Sequence, residues 1–521
     1  MNSGSTVAKA TDLLSSEAGA TGAVLLLAIG YLLVGYLTLS PGHAWGDDWA
    51  QYVGHARNLA AGRAYSDTGY IFNPDIPVVG PPTCPPGLPL LLAPIVRVYG
   101  LDIIALKCVP LICMTAAILM TFMLFRQALG AGVASAAAFL FGLHFFSWWL
   151  REDIMSEPPY ILWTLVALYF ASRRVHNRGV VTAAFCGLFA YAAFATRPIG
   201  IVLITAVLIH ELAQRGFFSW RFLCMAGIPI AGIALQRHFL VLADYSSQLH
   251  VPAMTELTGN IIGYWKATAD LFPLKGKLSL LSPLALAALT SLGISYRLRA
   301  TKDQIPSAAS RQLAISRPWI LFQRIPVDLW YSGLYLAALV VLPFAQEPRY
   351  LVPILPIVCA YIVYGIVRSL QTTRHGRPAI LALCCACLGY YAALHWWAHR
   401  GTREGDDALC RDCRAMYAFI SHNTEPDARV AFAKPRALAL LADRPAWVWA
   451  STQNQRFDWE ALLRTRINYI VLVPPKHVLA SRYPAELSWD AWRSNPRLDL
   501  VFENASFRVL RFKGRPESKG E

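Results

Sequence analysis

The first residues that could do chemistry are two adjacent acids, Asp47 and Asp48, in the sequence Gly46-Asp47-Asp48-Trp49. Paired carboxylates allow one group to be held by hydrogen bonds or by a metal while its neighbour accepts a proton. A structural role is the alternative, because Asp47 can cap the helix that follows and Asp48 can stabilise its first turn. The two interpretations are compatible, since a cap also fixes a carboxylate in place.

A second group of charges surrounds Glu157, in the segment that runs from Arg151 to Pro159. A solvated loop would explain most of this group. Glu157, however, comes directly before an apolar run, and a charge at the centre of a membrane helix costs about 2.5 to 3.5 kcal/mol on insertion scales. We therefore expect Glu157 to face a polar cavity and to be the functional member of the group.

Two single cations, Arg197 and Arg349, stand in otherwise apolar stretches, and the second precedes Tyr350. Both could simply extend to lipid head groups. A guanidinium also stays charged and binds phosphate through paired N–H donors. Two such cations with separate carboxylates would suit a reaction that releases a lipid phosphate.

Composition indicates that a membrane surrounds the elements that position these residues. Of 521 residues, 55% are hydrophobic and only 15% are charged, and the mean hydropathy is +0.40. The net charge of +15 is spread over short gaps between apolar runs rather than gathered in a basic stripe. The sequence therefore predicts an integral membrane protein and no nucleic-acid partner.

About eleven apolar runs approach the roughly 20 residues that a membrane-crossing helix needs. They are 22–39, 101–125, 131–150, 158–172, 179–196, 198–213, 222–242, 278–296, 327–345, 350–367 and 378–397. The gaps after every second run carry most of the Lys and Arg, which places them in the cytoplasm. The N-terminus is then cytoplasmic and everything after Trp397 lies outside. The sequence around Arg197 is compatible with one broken helix or with two spans.

The loop of residues 41–100, between the first two runs, is expected to hold the acidic pair at the outer boundary. From Asp48 to Gly62 the spacing of apolar residues predicts an amphipathic helix that lies along the membrane surface and stops at Gly62. The prolines of residues 81–89 predict a stiff extended segment that leads into the second span.

The tail, residues 398–521, has the alternating pattern of a small α/β domain. Helices are predicted at 410–422 and 457–466, and strands at 428–432, 467–473 and 506–512. The predicted fold is thus an α-helical polytopic membrane protein, with a transmembrane domain of residues 1–397 and an extracytoplasmic α/β C-terminal domain of residues 398–521.

Cysteine usage indicates no metal site. Nine of the eleven cysteines lie in or beside apolar runs, where a free thiol behaves as a small hydrophobic group. Cys410 and Cys413 lie on the outer side, where a local disulfide or an incidental helical pair explains them better than a redox centre.

These motifs, in this order, resemble the GT-C glycosyltransferase superfamily. They are the acidic pair after the first span, the proline-rich entry to the second, Ser-Glu-Pro at 156–158, Thr-Arg-Pro at 196–198, Arg-Tyr-Leu-x-Pro at 349–353 and an outer C-terminal domain. The resemblance covers nearly the whole chain. It is nearest to the bacterial branch of aminoarabinose lipid A transferases and O-mannosyltransferase-like proteins.

The resemblance implies transfer of a sugar from a polyprenyl-phosphate donor to an acceptor hydroxyl on the outer face of the bacterial inner membrane. The acceptor could be a glycan, a lipid or a protein. The implied catalytic residues are Asp47, Asp48 and Glu157, and the implied lipid-phosphate and substrate contacts are Arg349, Arg197, Tyr350 and Tyr65. Many relatives have Asp-Glu where this chain has Asp-Asp, so either carboxylate could be the base. No metal ligand is carried over, and a divalent cation remains open as a cofactor.

Two other classes of function compete with this one. A transporter or flippase of a lipid-linked or polar solute would also place charges within the membrane. Such proteins usually consist of two similar halves, and no such symmetry is visible in this sequence. A membrane scaffold would explain the tail but would leave the charges near the membrane without a purpose.

Overall fold

The computed structural model describes residues 16–76, 79–173, 179–215, 219–240, 252–272, 281–303, 322–342, 347–371, 389, 407–449, 459–483 and 487–513. The chain divides into two compact units. The helical unit consists of Met1–Leu39, Lys107–Phe239 and Asp244–Arg400. The sheet unit consists of Ser40–Leu106, Leu240–Ala243 and Gly401–Glu521.

Most of the described helices belong to the helical unit. They are α1 (Glu17–Leu37), α4 (Ile103–Leu129), α5 (Ala131–Gly142), α6 (Phe145–Leu150), α7 (Glu157–Ser172), α8 (Gly179–Thr196), α9 (Ile201–Arg215), α10 (Trp220–Phe239), α11 (Met254–Leu271), α12 (Ser282–Asp303), α13 (Val327–Val341) and α14 (Leu355–Gln371). Short 3₁₀ segments, Pro198–Gly200 and Pro348–Ile354, precede α9 and α14. Within the described residues, six segments are long and apolar enough to cross a membrane: α1, α4, α8, α10, and α9 and α14 with their 3₁₀ segments.

One of the predicted spans differs from the structure, and one alternative left open by the sequence is decided. The predicted run 131–150 is two helices, α5 and α6, because the chain leaves the helix at Leu143 and restarts at His144, whose side chain caps α6 by accepting from the Phe146 amide at 3.2 Å. Around Arg197 the chain forms two separate helices, α8 and α9. The predicted span 378–397 lies outside the described residues, apart from residue 389.

In its described residues the sheet unit combines five strands with five helices. Its helices are α2 (Asp48–Ala61), α3 (Gly87–Tyr99), α15 (Arg411–Asn423), α16 (Pro435–Ala442) and α17 (Trp459–Arg464), and two 3₁₀ turns lie at Ala480–Arg482 and Ala491–Ser494. Its strands are β1 (Val430–Ala431), β2 (Ala446–Trp447), β3 (Tyr469–Leu472), β4 (Leu498–Glu503) and β5 (Arg508–Phe512). The order across the sheet is β2-β1-β3-β5-β4, with β1 parallel to β2 and β3, and β5 antiparallel to β3 and β4.

The helix predicted after the acidic pair exists and most of its side chains are buried, while its place along the membrane surface stays a prediction. α2 begins at Asp48 and ends at Gly62, whose left-handed φ of 65° suits glycine. Besides the predicted apolar face, the polar side chains of Gln51, His55 and Asn58 are buried. The helix packs against α3 and α16, so these polar side chains are buried within the sheet unit.

The loop of residues 41–100 is part of the same compact unit as residues 401–521. Backbone contacts join the segment just before the acidic pair to the start of the tail. Ala408 N donates to His43 O at 2.8 Å, and the Asp407 carboxylate accepts from His43 N at 3.0 Å. The boundary predicted at residue 397 counts this loop with the membrane domain, and it stays a prediction.

Candidate functional site

Asp47 stands at the N-cap position of α2, but its side chain does not cap that helix. Its carboxylate lies instead at the N-terminus of α16, where Oδ1 accepts from Ala437 N at 3.1 Å and Oδ2 from Arg436 N at 3.3 Å. The first amides of a helix have no intrahelical acceptor, and the helix dipole favours an anion there. Asp47 is therefore held in place by two amides from a distant part of the sequence.

Asp48 opens α2 and points at the side chain of the same arginine. Its Oδ1 lies 2.8 Å from Arg436 Nη1. The Asp48 side chain is 42% exposed, whereas that of Arg436 is 2% exposed. The ion pair thus joins a buried guanidinium to a carboxylate that reaches the surface of the unit.

The electrostatic setting of Asp47 suits a group that exchanges a proton. Burial raises the pKa of Asp47, while Lys434, Arg436 and the two amides act to lower it. Burial lowers the pKa of Lys434, whereas the charge of Asp47 acts to raise it. A carboxylate whose pKa is raised above its ordinary value accepts a proton more readily than one of ordinary pKa.

Tyr65, predicted to contact substrate, is buried among supporting groups. Its hydroxyl donates to Cys84 O at 2.8 Å, and its ring stacks on His55 at a centroid distance of 4.1 Å. Cys84 N in turn donates to His55 Nε2 at 3.1 Å. These contacts tie the proline-rich segment to α2, and the substrate contact of Tyr65 stays a prediction.

The other predicted site residues meet in the helical unit, around Tyr350. Arg197, in the turn between α8 and α9, places Nη1 2.6 Å from Glu157 Oε1 and 3.0 Å from Ser156 Oγ. The Arg197 guanidinium lies 5.5 Å from the centre of the Tyr350 ring. The Arg349 guanidinium lies 5.1 Å from the same ring. Three segments far apart in the sequence thus bring both cations to one aromatic residue.

Each of the two arginines has a carboxylate partner. Glu157 is 1% exposed and pairs with Arg197, while Glu347 Oε2 lies 2.5 Å from Arg349 Nε. In the sequence both arginines stand as single cations in apolar stretches, and in the structure each one also forms an ion pair. The acids orient the guanidinium groups, which are 16% and 21% exposed.

The backbone geometry on both sides of the arginine cluster is closely packed. A Cβ atom at Gly200 would lie 2.5 Å from Phe194 N, so only glycine allows the chain to fold back on the end of α8 directly after Arg197. On the other side, the Tyr335 hydroxyl donates to Tyr350 O at 2.9 Å. Both features fix the backbone that carries the cations.

Arg151 does not belong to a solvated loop. It is 1% exposed, and its guanidinium donates to Gly35 O at 3.0 Å and to Thr38 Oγ1 at 2.9 Å. It also lies 4.0 Å from the centre of the Trp148 ring. Because the last carbonyls of a helix lack intrahelical partners, Arg151 completes the end of α1.

Sequence reasoning missed Lys434, Arg436 and Glu347. A short strand precedes Lys434-Pro435-Arg436, and the proline at the first helical position indicates that a helix starts there. It does not indicate which carboxylate will contact the start of that helix. Glu347 precedes Arg349 by two residues, so the sequence alone could have suggested that the two side chains form an ion pair.

Two further observations concern metals and thiols. In the part of the chain that the structure describes, no three or more His, Cys, Asp or Glu residues group as metal ligands would. Cys410 and Cys413 are free thiols, and Cys410 Sγ caps α15 by accepting from Cys413 N at 3.2 Å.

Comparison with solved structures identifies the fold. ArnT from Cupriavidus metallidurans, bound to undecaprenyl phosphate, matches with a TM-score of 0.54 and 13% identity over 94% of this chain and 98% of that chain. The oligosaccharyltransferase of Archaeoglobus fulgidus, tethered with an acceptor peptide, matches with a TM-score of 0.54 and 13% identity over 88% and 69%. The same archaeal protein, AglB, in complex with an inhibitory peptide and a dolichol-phosphate, gives 0.51 and 11% over 88% and 69%.

Both of these proteins belong to the GT-C superfamily, which is the superfamily that the sequence motifs of this chain resemble. No family model matches the chain, and no curated protein matches it in sequence. At 11–13% identity the likeness establishes the fold: a multi-pass membrane protein with a GT-C architecture.

Proposed function

We propose that this protein is a membrane glycosyltransferase that moves a sugar from a polyprenyl-phosphate donor to an acceptor hydroxyl. The observation that carries the proposal is the meeting of Glu157, Arg197, Arg349 and Tyr350 in a chain with the GT-C fold. Two guanidinium groups beside one tyrosine form a site for the phosphate of a lipid carrier. ArnT bound to undecaprenyl phosphate and AglB in complex with a dolichol-phosphate support this choice of donor.

The reaction needs one base and one site for the leaving group. The acceptor hydroxyl attacks the anomeric carbon, the bond from that carbon to the phosphate oxygen breaks, and the hydroxyl proton passes to Asp47. Arg349 and Arg197 stabilise the negative charge that grows on the departing lipid phosphate. Glu157, buried against Arg197, orients that guanidinium. Asp48 supports Asp47 or shares its role as the base.

The membrane arrangement that we propose follows the distribution of positive charge. About eleven spans cross the bacterial inner membrane, the N-terminus is cytoplasmic, and residues 398–521 form an extracytoplasmic α/β domain. The acidic pair then faces the compartment in which an acceptor glycan, lipid or protein would arrive.

The alternative is a transporter or flippase of a lipid-linked solute, since arginine–glutamate pairs near a membrane also serve transport. The pairing of each arginine with an acid fits both functions. The half-exposed carboxylate of Asp48 beside the half-buried Asp47 favours transfer, because proton acceptance is part of that reaction and no part of passive flipping.

The test uses the purified protein in lipid vesicles with a panel of radiolabelled undecaprenyl-phosphate sugars and candidate acceptors. We expect label to leave the lipid carrier in wild type and to be retained in Asp47→Asn. Arg464→Gln, on the exposed face of α17, is the matched control and should transfer at the wild-type rate. Intact carriers with every donor, or full transfer by Asp47→Asn and Asp48→Asn, would contradict the proposal. Movement of label across the membrane without covalent transfer would identify a transporter.

A further inference from the structure

One residue of the tail touches both members of the acidic pair, and it does so with two different groups. The Arg436 backbone N donates to Asp47 Oδ2, while the Arg436 side chain donates to Asp48 Oδ1. Replacement of the side chain therefore leaves the backbone contact with Asp47 in place. The two contacts can be separated by mutation.

The Arg436 guanidinium has two further contacts besides that with Asp48. Its Nη2 donates to Pro81 O at 3.0 Å, and its guanidinium lies 4.9 Å from the centre of the Tyr70 ring. Burial of a charge costs several kcal/mol unless hydrogen bonds and an opposite charge compensate. A lysine has no planar fork with which to reach Asp48 and Pro81 together. The contacts at this position therefore depend on the planar, forked guanidinium of arginine.

A second buried cation, Lys434, stands at the N-cap of α16 and is 8% exposed. Its charge, that of Arg436 and the dipole of α16 all act on the Asp47 carboxylate from the same helix start. The charged and titratable groups that face Asp47 are Lys434, Arg436, Asp48, Tyr70 and Tyr417. Of these, only the two cations favour the ionised form of Asp47.

We infer that Arg436 and Lys434 are positioning residues that orient the acidic pair and hold Asp47 ionised for the reaction proposed above. The inference rests on that proposed function for its catalytic meaning, but the charge of Asp47 can be measured without any substrate. Asp47 accepts a proton only when it is ionised, so the two cations extend its use as a base to lower pH. Loss of either cation raises the lowest pH at which Asp47 is ionised and can act as a base.

The experiment measures the pH dependence of carboxyl labelling with a carbodiimide and glycine ethyl ester in the full-length protein, which react with protonated acids. Mass spectrometry of the Asp47 peptide gives the labelling midpoint. We expect Arg436→Gln and Lys434→Gln each to raise this midpoint by about one pH unit, since a nearby opposite charge lowers a carboxyl pKa by about one to three. Arg436→Lys keeps the charge and should leave the midpoint near its wild-type value.

The matched control is Arg444→Gln. Arg444 lies in the same unit and donates to the carbonyl oxygens of Ser421 at 2.6 Å and Thr424 at 2.9 Å, so its role is structural. It should lower the thermal midpoint without moving the Asp47 labelling midpoint. If Arg436→Gln does not fold, Lys434→Gln decides. Labelling midpoints that stay at the wild-type value in the folded glutamine variants would overturn the inference.

Transfer activity provides the second readout. In the plot of kcat/KM against pH, the acidic limb should move to higher pH in Arg436→Gln. In Arg436→Lys the limb should stay at the wild-type pH, even though kcat is lower. An active wild type with an unmoved limb would overturn the inference alone. A wild type that transfers no sugar would overturn the proposed function and leave the labelling result to decide the role of the cations.

Discussion

The two units each hold an arginine against a carboxylate, with opposite exposure. In the sheet unit the arginine is buried and the acid reaches the surface, at 2% exposure for Arg436 and 42% for Asp48. In the helical unit the acid is buried and the arginine is more exposed, at 1% for Glu157 and 16% for Arg197. The buried partner is fixed by the fold, and the exposed partner is the one that can meet a ligand. The same kind of ion pair therefore presents a carboxylate in one unit and a guanidinium in the other.

The largest effect should come from the acid pair. Asp47→Asn keeps the shape of the side chain but removes the proton acceptor, and we expect the transfer rate to fall by about 10² to 10⁴-fold. Asp48→Asn should reduce it less, because Asp47 keeps its amide contacts with α16. Initial rates with the radiolabelled donor measure both variants. A greater loss in Asp48→Asn would reverse the assignment within the pair.

A buried acid should matter for stability more than an exposed one. Glu157→Gln removes the charge that compensates Arg197, and we expect the free energy of unfolding to fall by about 3 to 4 kcal/mol. The double variant Glu157→Gln with Arg197→Gln should regain most of this loss, because no uncompensated charge remains. Thermal denaturation in detergent compares the three proteins. Equal stability of wild type and Glu157→Gln would remove the distinction between the two ion pairs.

The sheet unit should also be the acid-sensitive one. Burial lowers the pKa of His55 from 6.5 to about 4, so the unfolded chain takes up this proton more readily than the folded one. Stability is complete above pH 6.5 and falls by about 3 kcal/mol as the pH drops towards 4. His55→Gln should flatten the dependence of the thermal midpoint on pH, whereas His422→Gln, at an exposed position of α15, should not. An unchanged slope in His55→Gln would show that another group causes it.

The smallest effect concerns the geometry of the anion site. Arg349→Lys keeps the charge and loses the planar fork, so we expect the KM for the polyprenyl-phosphate donor to rise about tenfold with little change in kcat. Steady-state kinetics with increasing donor concentration give both constants. Loss of kcat with an unchanged KM would instead place Arg349 at the transition state alone.

Local patterns predicted the elements better than the pairings. The apolar run 179–196 corresponds to α8 residue for residue, and the pattern at 467–473 contains the buried strand β3. The run 131–150 is as apolar as its neighbours, and its break at His144 depends on a local cap that hydropathy does not register. The pattern of α2 does not predict that Gln51, His55 and Asn58 are buried, because that depends on the packing of α3 and α16 against the helix.

The site shows the same limit. Glu157, Arg197, Arg349 and Tyr350 were identified one by one from residue type and position, since isolated charges in apolar runs are conspicuous. That Glu157 meets Arg197, 40 residues later, depends on how α7 and the turn after α8 pack. Arg436 lies 388 residues after Asp48 and carries no local mark of its role. Its partner is set by tertiary structure alone.

The amides that hold Asp47 impose an order on the making of this protein. Ala437 comes 390 residues after Asp47 along the chain, so a ribosome that has just produced the acid has hundreds of residues still to add. Throughout that interval the carboxylate lacks the helix start that fixes it. A chain that stops short of α16 has every residue of the loop 41–100 but lacks the two amides that hold the Asp47 carboxylate in place.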